Sequence, residues 1–545
     1  MNQDLSLEKN PLFLSKINYS GIFYMIQIQP SANPSKSSYL WIGLSFLAMV
    51  IIYFLPWRFQ VNDDVIMMWL VSGIYTGESE NYAVFMHPFL SYLLSFLYQH
   101  TPTVSWYSIY QYLLIFLSFA FASSVIHHSL LTKRSKTIYQ SILLLVSLHL
   151  CIFPQFTLVA GWSAFAAFLL LMNFPKNKLV LVFSIFLFFF AALLRAEASL
   201  LIWLGFVWFM IAKFQKIKAL HLSIALILLL VLIGSKSIYE NQSEYKGYLE
   251  FNKARHQVID HPVFFQNTIE EVYSNDPKWK VFSQWFIQES PPTLADLNLH
   301  YKELNSHYFS IKHSWVSLIR LLQVHLTELF KSFLALTFLI LYWIHYRGNK
   351  KMLLFAIAWI FFFLIFNHFN HIRGRVIFLF YLPLLPPIFE QSLRFKNKFI
   401  FGLSLIILGF LLSIHIFNFL NEAKKRQSQL SQYESLIAQK ALDTPIYLEG
   451  FPLEYFSRYF SSGEKTPFFI EGWIARSPFQ TKAYRRLGFK ELNDLESYYL
   501  IAVKEKAPFD FPDYMNSLGD DYALIETEET ADLIMYRYSK NKEFN

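Results

Sequence analysis

Apolar runs alternate with short polar breaks along most of this chain. Eleven such runs stand out, near 39–57, 106–129, 138–153, 156–173, 179–194, 198–212, 219–236, 323–346, 352–367, 376–391 and 399–419. Runs of about 17 to 25 apolar residues suffice for a helix to cross the hydrocarbon core of a bilayer. A closed barrel would need shorter alternating segments, which this sequence lacks. The pattern predicts a polytopic α-helical membrane protein with about eleven transmembrane helices.

The breaks fall into two kinds. Alternate short loops read "KRSK" (133–136), "KNK" (176–178), "KFQKIK" (213–218), "RGNKK" (347–351) and "RFKNK" (394–398), basic and without an acid. By the positive-inside rule these face the cytoplasm. The opposite face then receives 58–105, turns near 154 and 195, the long segment 237–322, the turn "NHFNHIRGR" (367–375) and the tail from about 420. Every large polar segment falls on that outer side.

Three units follow: a cytoplasmic N-terminal segment, 1–38; a transmembrane domain, 39–420, with outer loops 58–105 and 237–322; and an extracytoplasmic α/β domain, 421–545. The tail changes character, giving strand-like runs "TPIYLEG", "TPFFIEG", "SYYLIAV" and "LIMYRYS" between helical pieces. The first apolar run reads as a signal anchor rather than a cleavable signal peptide, and Met25 is an alternative start.

Composition agrees. The 545 residues are 54% hydrophobic and 19% aromatic, and only 16% are charged, against about a quarter in soluble domains. The net charge of +8 reflects loop topology and gives no reason to expect nucleic acid. One cysteine, Cys151, excludes an internal disulfide and a structural thiolate metal site.

Against this background a few outer-face residues require a reason. "VNDDVIMMWLVSGIYTG" places Asp63 and Asp64 just beyond the first run. Its apolar continuation is suited to the membrane interface, so interfacial helices are expected in the first outer loop. A carboxylate there can take a proton from an attacking hydroxyl or hold a divalent metal among oxygens; alternatively the pair caps the helix. His87, before Pro88, is a candidate proton carrier or an interface hydrogen-bonder.

In "LLRAEASLL", Arg195 and Glu197 sit near the tip of a tight outer hairpin, as a local ion pair or as part of a site. "NHFNHIRGRVIFLFYLPLLP" brings His368, His371, Arg373 and Arg375 before a span containing Pro383, Pro386 and Pro387. The planar fork of arginine matches phosphate oxygens, and at headgroup depth that phosphate belongs to a lipid. Within 237–322, Glu270 and Glu271 read as a solvated helix face, and "NQS" (241–243) fits the glycosylation sequon.

First-loop acids, an interfacial helix, about eleven spans, an Arg-bearing late outer turn running into "YLPLLPP" and a C-terminal outer domain together resemble the GT-C superfamily of integral-membrane glycosyltransferases. That superfamily includes protein O-mannosyltransferases and aminoarabinose transferases. The resemblance covers roughly residues 39–420. It implies a polyprenyl-phosphate-sugar donor, a glycan, lipid or protein acceptor, a first-loop carboxylate (Asp63 or Asp64) as base or metal ligand, and Arg373, Arg375 and more loosely Arg195 on the lipid phosphate. "NDD" departs from the "DE"-type pair of the protein mannosyltransferases, leaving open which acid acts. His87, Glu197 and His371 are candidates to line the site, and metal dependence stays open.

Two other classes stand beside this one: a polysaccharide polymerase or ligase relying on Arg and His, and a transporter of lipid-linked sugar, which would place charge along a path through several spans. A scaffold reading would leave the outer arginines unexplained. The Lys- and Phe-rich, Arg-poor composition points to a bacterium and hence to its cytoplasmic membrane.

Overall fold

The structure, a computed structural model, describes residues 36–174, 177–213, 219–289, 292–393, 398–438, 444–461, 466–519 and 521–541. Residues 1–35, with Met25, lie outside the described residues, as do parts of the "KNK", "KFQKIK" and "RFKNK" loops.

All eleven apolar runs form helices. Among the described residues seven are long and apolar enough to cross a membrane, and four shorter apolar helices, Tyr39–Phe54, Lys178–Leu194, Ala196–Ala212 and Val376–Phe389, accompany them. Phe156–Asn173 is buried almost all round at the bundle centre, whereas Leu220–Gln242, Lys350–Phe369 and the helix from Phe401 keep most of their surface outside the packing. That surface is apolar: Ile357, Phe361, Ile406 and Phe410 are each more than 60% exposed. Contiguous apolar surface of this size is a cost in water and matches lipid.

Backbone chemistry explains the one broken segment. The expected span 376–391 is a helix Gly374–Tyr381, a 3₁₀ turn Leu382–Leu384 and a short helix Leu385–Phe389. Pro383, Pro386 and Pro387 donate no N–H and crowd the preceding turn. Side chains take up carbonyls along this stretch: Trp359 Nε1 donates to Phe380 O at 2.6 Å and Tyr346 Oη to Pro387 O at 2.8 Å. Gly205 lets this segment pack closely, since a Cβ there would lie 2.4 Å from Pro383 Cγ.

Two expectations are corrected. The helix Asn62–Ser72 does not lay its apolar side chains against lipid: Asp63 through Ser72 are all buried in protein, with Trp69 Nε1 donating to Tyr459 O at 2.9 Å beneath the C-terminal domain. The second first-loop helix, Pro88–His100, does present Phe89, Tyr92 and Phe96 outward. The expected span at 323–346 starts later, at Leu329; before it runs a separate amphipathic helix, Ile311–Thr327, whose Ile311, Trp315, Leu322 and Leu326 are exposed.

The loops collect at two ends. At one, Thr132 N donates to Ser392 Oγ and Tyr139 Oη to Gln391 O, with His345 Nε2 2.9 Å from the same Tyr139 Oη, bringing together the described flanks of the "KRSK", "RGNKK" and "RFKNK" breaks. At the other lie the first outer loop, 237–322 and the C-terminal sheet. That sheet holds β1 (Ile446–Glu449), β2 (Phe468–Phe469), β3 (Ser497–Val503), β4 (Tyr522–Glu529) and β5 (Leu533–Lys540) in the order β2-β1-β3-β5-β4. β1 pairs in parallel with β2 and β3, and β5 pairs antiparallel with β3 and β4. The sequence pattern yields four of these strands and misses β4, a charged edge strand. A single helix, Lys398–Ala438, runs through residue 421 and on toward the sheet.

Gly205→Val is expected to lower stability by about 1–3 kcal/mol through overpacking against Pro383, read as a lower thermal midpoint in detergent.

Candidate functional site

A cavity of about 650 Å³ opens where the apolar helices meet the first loop, the 237–322 segment and the C-terminal domain. Asp63, Arg195 with Glu197, and Arg373, from three separate stretches of the sequence, line it together. So do Lys236 and Arg255, which sequence reasoning did not single out.

Adjacent residues of a helix point about 100° apart, and this separates the two first-loop acids. Val61 is the N-cap of Asn62–Ser72, so neither acid caps it; both fall in the first turn. Asp63 reaches the cavity wall and is 8% exposed. Asp64 turns into the bundle and is fully buried. Its Oδ1 accepts from Tyr107 Oη at 2.7 Å, Gln111 Nε2 at 2.8 Å and Phe156 N at 3.2 Å, the last at the N-terminus of a helix, where an acid is favoured. Burial pushes its carboxyl up to about 8, outweighing the hydrogen bonds from Tyr107 and Gln111.

The cations are held in pairs. Arg195 Nε lies 3.0 Å from Glu197 Oε2, and its guanidinium sits 5.4 Å from the ring centres of both Phe85 and Phe156. Lys236 Nζ donates to Val84 O at 2.6 Å and lies 3.7 Å from Glu240 Oε1. Arg373 pairs with Asp260, which also meets His256 Nδ1 at 2.7 Å. Burial alone would raise the Asp260 carboxyl, yet the His256 hydrogen bond and the Arg373 charge hold it well below the usual carboxylate range.

The other expected residues lie around this cavity. His87 caps Pro88–His100: its Nδ1 accepts from Phe89 N at 3.1 Å and its Nε2 lies 3.0 Å from Ser235 Oγ. It lines a side cavity of about 210 Å³ that shares Glu197, Lys236 and Glu240 with the main one. His371 packs at a tilt against Phe265, ring centres 4.1 Å apart, and lines a third cavity of about 320 Å³ that shares Asp260 and Arg373; burial pushes its imidazole down to about 4. Arg375 lies in the first turn of Gly374–Tyr381, and its side chain is outside the described residues. Asn241, of the sequon, sits in the last turn of its helix at the cavity rim, donating to Ser237 O at 2.8 Å.

Among the described residues no three His, Cys, Asp or Glu side chains converge as a metal-ligand set. Glu197, Glu240 and Asp260 are each paired with a protein cation, so these donors do not fit a divalent ion.

One signal would have found Lys236: a lone lysine ending the apolar run "ALILLLVLIGSK", since charge at membrane depth tends to mark a site. Arg255 and Asp260, in the polar "FNKARHQVID", carry no such mark.

No family model matches this chain, and no curated protein matches it by sequence. Among solved structures it is similar to ArnT from Cupriavidus metallidurans in the apo state, an aminoarabinose transferase and GT-C glycosyltransferase. The match covers 92% of this chain and 98% of that one, at 9% identity and a TM-score of 0.42. The overlap is loose at that score, and the chemistry of the site rests on the cavity's own residues.

Because the folded-state carboxyl of Asp64 is raised from 3.8 to about 8, its contribution to stability is complete below about pH 4 and is lost as pH rises toward about 8. Asp64→Asn is expected to flatten the fall in thermal midpoint of the detergent-solubilised protein between pH 5 and 9. Asp64→Leu is expected to destabilise at every pH, because three buried donors lose their acceptor at about 1–3 kcal/mol each.

Proposed function

We propose that this protein is a membrane glycosyltransferase that moves a sugar from a polyprenyl-phosphate-linked donor to a glycan, lipid or protein acceptor on the extracytoplasmic face. The observation that carries the reading is the single cavity uniting the Asp63 carboxylate with the Arg195, Lys236, Arg255 and Arg373 cations. It lies at the end of the bundle away from the basic loops, which supports an outward-facing site in the cytoplasmic membrane of a bacterium. The three-unit division of the chain, 1–38, 39–420 and 421–545, belongs to the same reading, with the helix Lys398–Ala438 running across the second boundary.

In this mechanism Arg373 and Arg195 hold the donor phosphate. A guanidinium has five N–H donors, so one carboxylate partner leaves others for phosphate oxygens. Negative charge grows on the leaving phosphate as the anomeric bond breaks, and fixed cations stabilise it more in that transition state than in the bound donor. Asp63 takes the proton of the acceptor hydroxyl as its oxygen bonds to the anomeric carbon. The electron pair of the old bond leaves with polyprenyl phosphate. One such displacement inverts the anomeric centre. Asp64 has the opposite role: it is buried, away from the cavity, and holds the helix that presents Asp63.

The test is transfer of radiolabelled sugar from polyprenyl-phosphate donors by purified protein. Asp63→Asn is expected to cut turnover by about 10²–10⁴ with donor binding retained, and Arg373→Ala to weaken donor binding and turnover together. Full activity of Asp63→Asn would remove the base and favour a polymerase or ligase relying on Arg and His.

A further inference from the structure

The outer wall of the cavity comes from the C-terminal domain and the 237–322 loop. Trp473 follows β2 and lines the cavity. It is 6% exposed, packs edge-on to Phe85 with ring centres 4.8 Å apart, and its Nε1 is buried with no hydrogen-bond partner among the described residues. Arg255, also on the wall, is 4% exposed; its Nε donates to Asn252 Oδ1 at 2.8 Å, and its Nη1 is likewise buried without an acceptor. Trp285 covers Arg255, guanidinium to ring centre 5.1 Å, and lies over Gly472, where a Cβ would sit 4.0 Å from Trp285 Cε3.

This arrangement is costly to hold. Trp285 takes a φ of 71°, a region that bulky residues rarely adopt. Gly472, φ 104°, supplies the turn that delivers Trp473. An unpaired buried N–H is costly, and two occur on one wall. The chain after Trp285 is pinned by Arg476, whose Nε donates to Ile287 O at 2.7 Å. Aromatic faces suit the C–H faces of a sugar ring, and buried N–H donors suit its hydroxyls. Bare phosphate needs neither indole.

We propose that Trp473 and Arg255, with Trp285, form the subsite that recognises the sugar of the lipid-linked donor, so that the wall shared by the C-terminal domain and the 237–322 segment selects which sugar is transferred. The inference rests on the transferase reading above and deepens it: the arginines near the bundle hold phosphate, and this wall reads the sugar.

The test is equilibrium binding to the full-length protein in detergent, comparing a polyprenyl phosphate with its hexosyl and pentosyl derivatives. In wild type one derivative is expected to bind at least about tenfold tighter than bare polyprenyl phosphate. Trp473→Phe keeps a ring against Phe85 and removes the N–H. It is expected to reduce that sugar increment about tenfold, because a site built to donate to a hydroxyl depends on the donor, while binding of bare polyprenyl phosphate changes less than about twofold. Arg255→Gln is expected to act in the same direction. An increment unchanged in both variants, or a parallel loss for both ligands, overturns the subsite. So does a wild type that binds polyprenyl phosphate and no sugar derivative more tightly, an outcome that leaves the transferase reading standing. Failure of wild type to bind polyprenyl phosphate overturns both.

Discussion

The arrangement of the site depends on the buried carboxyl of Asp64. It ties the first-loop helix to the helix Trp106–His128 through Tyr107 and Gln111, and to the start of Phe156–Asn173 through a backbone N–H. Three segments that share no sequence neighbourhood are thus joined at one point. With that residue locked inward, the rotation of Asn62–Ser72 is fixed and Asp63 faces the cavity. The C-terminal domain holds the same helix through the Trp69–Tyr459 bond, and the chain leading into it through a bond from Phe59 N to Ser457 Oγ at 2.8 Å.

Around this fixed point the charges are kept in matched pairs. A lone cation held away from water is costly, and Arg195, Lys236 and Arg373 each have a carboxylate at hand. Such pairs keep cations ionised and oriented at little net gain in stability. The flanking rings of Phe85 and Phe156 hold the Arg195 guanidinium without occupying its donors. The cavity is therefore rich in charge and close to balanced before any ligand enters.

The spanning helices were legible because length and apolarity are local properties, and the break at Pro383 follows from three prolines in the same stretch. What lies over an apolar helix is not local: "VIMMWLVS" reads alike whether lipid or protein covers it, and here protein does. Nor does the sequence tell two adjacent acids apart, since only the packing of Tyr107 and Gln111 decides which turns inward. Arg195 and Arg373 stood out against Lys-free outer turns. Arg255, Asp260 and Trp473 sit in ordinary polar or domain sequence and become neighbours only through contacts spanning hundreds of residues. β4 escaped for a related reason: its half-exposed, acidic edge lacks the apolar run that marks β3.

The helix Lys398–Ala438 has 41 residues and so extends about 60 Å, roughly twice the hydrocarbon thickness of a bilayer. Its far end is built into the domain: Tyr433 packs on Phe451 and Phe456, and Gln432 bonds Asp532 at 3.1 Å. It therefore acts as a ruler. One end packs in the apolar bundle and the other carries the sheet, so the distance of Trp473 from the bundle follows from a count of helical turns. Inserting a full turn would raise the wall without rotating it, and inserting two residues would rotate the sheet away from the cavity while barely raising it.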